Sequence, residues 1–138
     1  MKVVVFVKAT PDSEQGLMPP QELLIQMMAY NQALVDAGIM KGGDGLKPSA
    51  QAVRVRFSGA SRTVIDGPFS ETKELVAGYW LWEVKDMDEA IAWVKRCPNP
   101  MMTDSDIDIR PVYDLNDFGD IVTDEVRAQD AAMRKQIS

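Results

Sequence analysis

Five consecutive residues near the start of the chain, Val3-Val4-Val5-Phe6-Val7, are β-branched or aromatic with no polar residue among them. Such a run predicts a strand buried on both faces, and therefore a sheet with material stacked above and below it. Lys8 closes the run after five residues. That is too short for the apolar region of a secretory signal and far short of the ~20 residues of a membrane span. The expectation is a cytoplasmic protein with no membrane contact. A chain of 138 residues with 46% apolar and 26% charged side chains suits one domain with a core of its own.

Hydrophobic periodicity places the remaining elements. A polar connection from Ala9 to Gly16 leads to Pro19-Pro20, where proline suits the first turn of a helix. Leu23, Leu24, Met27, Met28, Tyr30, Leu34 and Val35 recur at intervals of three and four, and Gly38 ends that helix. Gly42-Gly43-Asp44-Gly45 follows a helix rather than a strand, the reverse of a phosphate cradle, and reads as a tight connection closed by Pro48. Ala52 to Phe57 alternates Val53, Val55 and Phe57 with Arg54 and Arg56. Ser58 to Ser61 then makes a hairpin loop, and Thr63-Val64-Ile65 returns. Gly78 to Val84 is the next strand, with Trp80, Trp82 and Val84 on one side and Tyr79, Leu81 and Glu83 on the other. A second helix starts at Asp86, with Glu89 placed as in a capping box, and stops at Pro98. Ile107 to Val112 is a last strand, after which a tail from Asp114 to Ser138 predicts a helix from about Thr123. Residues 1–113 form the domain, and 114–138 either belong to it or make a dimer contact.

Strand, helix, hairpin, strand, helix, strand implies a ferredoxin-like α+β sandwich with both helices on one face of the sheet. The other face then needs a cover. Trp80 and Trp82 share one face of a middle strand, and exposing it would leave a larger apolar patch than monomers tolerate. A second subunit is the expected cover.

Charge and composition exclude several chemistries. Fifteen basic against 21 acidic residues give a net charge of −6, which repels phosphate backbones, so no nucleic-acid partner is expected. With no histidine there is no Ser-His-Asp or Cys-His pair and no His-containing zinc site. Cys97 is the single cysteine, so neither an intrachain disulfide nor a thiolate cluster can form, and its place at a helix C-terminus disfavours a thiolate. Asp104, Asp106 and Asp108 alternate like the start of a calcium loop, but Ile109 and Leu115 stand where that loop needs glycine and glutamate. No metal or cofactor is expected.

Asp66-Gly67-Pro68-Phe69-Ser70-Glu71-Thr72-Lys73-Glu74, followed by Gly78-Tyr79 and Asp88-Glu89-Ala90, resembles the YCII-related family, in the subgroup named for its DGPF motif. Ala37-Gly38, Gly42-Gly43-Asp44-Gly45-Leu46, Ile109-Arg110-Pro111-Val112 and Asp117-Phe118-Gly119 extend the resemblance over nearly the whole chain. It implies ferredoxin-like subunits whose sheets pair into a dimeric α+β barrel. Most of the subgroup has no assigned activity. Some members are similar to partners, or fused extensions, of extracytoplasmic-function sigma factors. Relatives in the wider family use a proposed His–Asp pair, and a dehydrochlorinase of a chlorinated hydroxyquinol belongs there. Here Asp36 stands two before Gly38, in the aspartate's place, but Met27 occupies the histidine's place and can move no proton.

The residues expected to line a small-molecule pocket are Met27, Tyr30, Asp44, Asp66, Pro68, Phe69, Lys73, Tyr79 and Trp80. Aromatic bodies with a polar tip orient ligands, and methionine adapts to them. Asp-Gly-Pro makes a rigid turn that serves folding and could also shape a pocket rim. Ser70 and Lys73 match a nucleophile pair only in isolation, without its companion motifs. The leading reading is a homodimeric binding or regulatory module, with a sigma factor as partner by family association. The alternative is a lyase or dehydrochlorinase on a small ring compound, with Asp36, Asp66 or Asp44 as base and Tyr30 or Tyr79 as acid.

Overall fold

The apolar run forms β1 (Lys2–Lys8), and its alternation decides the packing: Val3, Val5 and Val7 are buried while Val4 and Phe6 are half-buried. In the computed structural model, which describes all 138 residues, β1 lies between β5 (Val76–Glu83) and β6 (Ile107–Pro111). The strand β2 (Met40–Gly45) completes the sheet in the order β2-β5-β1-β6, with every neighbouring pair antiparallel. A four-residue helix, α1 (Pro11–Glu14), is followed by α2 (Gln21–Asp36), and α3 (Met87–Lys95) joins β5 to β6. Two interleaved β-α-β units with this strand order make the ferredoxin-like α+β sandwich that the element order predicts.

The glycine run predicted as a tight connection is instead β2, the edge strand, with Gly43 opposite Trp80 and Asp44 opposite Tyr79. Its glycines serve close approach. A Cβ on Gly43 would stand 2.7 Å from the Tyr79 carbonyl oxygen and 2.8 Å from Trp80 Cδ1, so only glycine lets β2 reach its partner past the indole. The Val53–Ile65 segment is not part of this sheet. It forms β3 (Val53–Ser58) and β4 (Ser61–Asp66), a separate two-stranded hairpin whose residues are all exposed.

Trp80 and Trp82 face the helices, not the open side of the sheet as their expected cover by a second subunit required. Trp82 is wholly buried and Trp80 nearly so, among Val3, Val5, Tyr30, Leu34 and Ala90. The ring of Tyr30 meets Trp80 edge-on at 5.9 Å and Trp93 at 6.4 Å. Its hydroxyl donates to the Trp93 carbonyl at 2.6 Å, tying α2 to α3. The face left open carries Val4, Phe6, Tyr79 and Leu81 in register, with Arg110 opposite Val4 and Asp108 opposite Phe6.

Caps set the helix ends. The Thr10 side chain accepts from Ser13 N and starts α1 inside the expected polar connection. Asp86 accepts from Glu89 N at 2.9 Å, as predicted for α3. The tail makes a 3₁₀ segment at Leu115–Ile121 and then α4 (Asp124–Ile137), capped by Thr123 and almost fully exposed. No helix is long and apolar enough to cross a membrane.

Neighbouring glycines of β2 give a sharp test. Gly43→Ala should destabilise the fold by about 1–3 kcal/mol through overpacking. Gly42→Ala, whose Cβ would meet nothing within 4 Å, should change stability by less than ~1 kcal/mol in the same urea titration.

Candidate functional site

The main cavity, about 560 Å³, lies where α1, the start of α2, the β2 edge and the Pro100–Met102 loop converge on the edge of β5. That volume suits a small organic molecule. Its wall is rich in methionine: Met18, Met27, Met40, Met101 and Met102 contribute, with Leu23, Leu24, Leu46 and Trp80. Unbranched thioethers fill irregular space and adjust to a guest, and sulfur contacts aromatic edges favourably.

Few polar groups break this surface, and two of them are held in place. Trp80 Nε1 donates to Asn31 Oδ1 at 3.0 Å, fixing the Asn31 amide on the wall. Its Nδ2 donates to no protein acceptor and is available to a ligand oxygen. Thr10 Oγ1 donates to Met101 Sδ at 3.6 Å, which anchors the loop that closes one side. Asp12, Asp44 and Lys47 supply the charges of the lining, and Asp44 and Lys47 are solvent-exposed.

Of the residues predicted for a pocket, Met27, Asp44, Tyr79 and Trp80 border this cavity. Tyr79 does so from a strand position opposite Phe6, on the outer face of the sheet. Tyr30 sits elsewhere, between α2 and α3. Burial and the nearby Cys97 hold its hydroxyl well above the usual tyrosine range, with Arg96 opposing, so it holds its proton and donates to Trp93. Asp36 is on the exposed end of α2, where Gln32 Nε2 donates to it at 2.8 Å, and it does not border this cavity. Asp66 is exposed at the base of the hairpin, opposite Val53, and Lys73 is exposed in the 3₁₀ turn Thr72–Glu74.

Pro68 and Phe69 belong to a structural knot at the foot of the hairpin. Glu14 accepts from Ser49 N at 3.1 Å and from Ser49 Oγ, while Ser49 Oγ accepts from Phe69 N at 3.0 Å. A Cβ on Gly67 would fall 1.7 Å from the Ser49 carbonyl oxygen, so the Gly67-Pro68 turn lies directly against the Ser49 backbone. Arg54 covers Phe69 with its guanidinium carbon 3.9 Å from the ring centroid. The Asp-Gly-Pro-Phe turn thus clamps hairpin to body.

Asn31, Met40, Met101 and Met102 were not singled out by sequence reasoning. The one available signal was the density of methionine in two separated stretches, Met27-Met28 and Met101-Met102, which only the fold brings together. No group of three metal-ligating side chains converges anywhere.

The profile of the YCII-related domain family matches residues 1–116. An uncharacterised protein of Rhizobium meliloti (strain 1021) is 28% identical over 92 residues, which are 67% of this chain and 74% of that protein. Among solved structures, 5-chloro-2-hydroxyhydroquinone dehydrochlorinase from Burkholderia phenoliruptrix AC1100, in complex with 2,5-dihydroxybenzoquinone, aligns with a TM-score of 0.44 at 17% identity. The alignment covers 84% of this chain and 98% of the dehydrochlorinase.

Burial raises the Cys97 thiol from 9.0 to about 11. With its folded value raised, the stability this thiol contributes is fully present below pH 9 and is lost as pH rises through 11. At pH 8 it should react with an aromatic disulfide reagent at least ~30-fold more slowly than free cysteine. Equal rates would show that Cys97 is open to solvent.

Proposed function

Because the chain belongs to the YCII-related family, we propose that it is a small-molecule-binding module of the DGPF subgroup, acting as a dimer in the cytoplasm. The observation that carries this reading is the cavity of about 560 Å³ with a methionine wall and a pre-oriented Asn31 amide. An apolar cavity with one fixed hydrogen-bond donor selects a compact, poorly charged guest bearing one acceptor. Binding is favoured over catalysis by what lines the wall. Neither Asp36 nor Asp66 borders it and Asp44 is exposed, which leaves the half-buried Asp12 as the one sheltered carboxylate of an otherwise apolar wall.

The dimer would form through the open face of the sheet. Val4, Phe6, Tyr79 and Leu81 make an apolar strip flanked by Lys8, Asp108 and Arg110, and pairing two such faces completes an α+β barrel. A regulatory role alongside a sigma factor follows from the family association and would use the ligand-bound dimer as its switch.

Calorimetric titration with 2-naphthol, a flat ring with one hydroxyl, tests the cavity. Met27→Trp fills the wall and should weaken binding at least tenfold. Met28→Trp, one residue along on the exposed side of α2, should leave binding unchanged. Equal affinity in the two variants would place the probe elsewhere. Asn31→Leu should cost about 1–1.5 kcal/mol of affinity through the lost donor.

A further inference from the structure

The β3–β4 hairpin is an arm without a cover. Its twelve strand residues are all exposed, and a two-stranded ribbon alone is marginally stable in water. Register sets Val53, Val55, Phe57 and Val64 on one face together with Arg62 and Asp66, and Arg54 and Arg56 on the other; Phe57 and Val64 are 71% and 66% exposed. Yet the knot of Glu14, Ser49, Gly67 and Phe69 fixes the arm's foot to the body. The segment is held out from the body, and its apolar face carries Arg62, whose guanidinium carbon lies 4.5 Å from the Phe57 ring centroid.

Its charge says what it fits. Arg54, Arg56 and Arg62 against Asp66 give the hairpin +2, and since the chain totals −6, everything outside it sums to −8. None of the three arginines is ion-paired within the chain. Of the stretches of chain without a cation, the one with the most carboxylates contains Asp114–Glu125, with five. That segment also exposes apolar side chains, Phe118 at 44% and Ile121 at 78%. One copy therefore carries both halves of a contact: a basic, apolar arm and an acidic, apolar tail. A twofold axis would make the contact twice, each arm on the other copy's tail.

The area agrees. The chain exposes 9996 Å² at 15.3 kDa, against roughly 7,100 Å² for a compact monomer of that mass. The excess of about 2,900 Å² per copy, roughly 5,800 Å² for two, is ample for the ~2,000–5,000 Å² in total that obligate dimers bury.

We infer that β3–β4 is an exchange arm that docks on the Asp114–Glu125 segment of a second copy of this chain. Its arginines steer it to the carboxylates, and the Val55–Phe57–Val64 face seats on Phe118 and Ile121. This contact is distinct from the pairing of sheet faces and does not depend on what the cavity holds.

Charge reversal tests it. By sedimentation at micromolar concentration, R56E/R62E, which leaves Arg54 on Phe69, should raise the dimer dissociation constant at least tenfold. D120R/D124R/E125R should do the same, and Phe57→Ser should weaken the dimer in the same direction. In the 1:1 mixture of the two charge variants, each Glu arm meets an Arg tail and each Arg arm an acidic tail, so the mixed dimer should recover wild-type affinity. A monomeric wild type would overturn the proposal. So would an unchanged dimer in R56E/R62E, which would leave the sheet face as the sole interface. Failure of the mixture to recover, with arm-dependent binding to a 20-base-pair DNA duplex in its place, would assign the arginines to nucleic acid. Unchanged circular dichroism and melting of the variants would show that the body is intact.

Discussion

The layer of aromatic rings between sheet and helices is the contact on which the rest of the fold depends. Trp80 and Trp82, two residues apart on β5, stand side by side on its inner face with ring centroids 5.8 Å apart. Tyr30 of α2 meets Trp80 edge-on and donates a hydrogen bond from its hydroxyl to the Trp93 carbonyl of α3. One tyrosine therefore contacts β5 and α3, fixing the distance between α2 and both. Desolvation favours this bond because it keeps the phenol protonated and able to donate.

Much of the architecture was legible in the sequence because local chemistry and global fold agree there. The β-branched run of β1, the stripe of α2, the Asp86 cap of α3 and the Thr123 cap of α4 each announce an element that forms within a residue or two of its expected bounds. Two features were hidden for different reasons. A run of Gly-Gly-Asp-Gly carries turn propensity, and only the approach of β2 to Trp80 makes glycine the right residue for a strand. The alternation of β5 separates Trp80 and Trp82 from Tyr79 and Leu81 but cannot say which set the helices cover. That choice is tertiary, made by the size of two indoles and by Tyr30.

The candidate site was only partly legible for a related reason. Titratable residues draw attention in a sequence, yet Asp36, Asp66 and Lys73 are surface groups here. What distinguishes the cavity is its thioethers and one oriented amide, residue types that carry no catalytic signature. They come from α2, β2 and the loop after α3, so their convergence exists only once the sheet order β2-β5-β1-β6 is known. Conversely, the Asp-Gly-Pro-Phe turn stands out by sequence and serves to clamp the hairpin, with Gly67 against Ser49 and Phe69 beneath Arg54.

The cavity and the edge of the fold are physically inseparable. Gly43 borders the cavity and is also the residue that admits β2 to the sheet, and Trp80 borders it while filling the core. A side chain added at Gly43 would push the edge strand from Trp80, loosen the indole's bond to Asn31 and free the amide that the cavity presents. A guest that contacts Trp80 and Asn31 together would act in the opposite direction, holding the indole, the amide and the edge strand in one arrangement. Ligand binding and closure of the sheet are thus linked through a single indole hydrogen bond of 3.0 Å. Any ligand that binds more tightly to the closed edge than to a frayed one stabilises the fold by its differential affinity. In the proposed binding role, that coupling would report occupancy to the surfaces beyond the cavity.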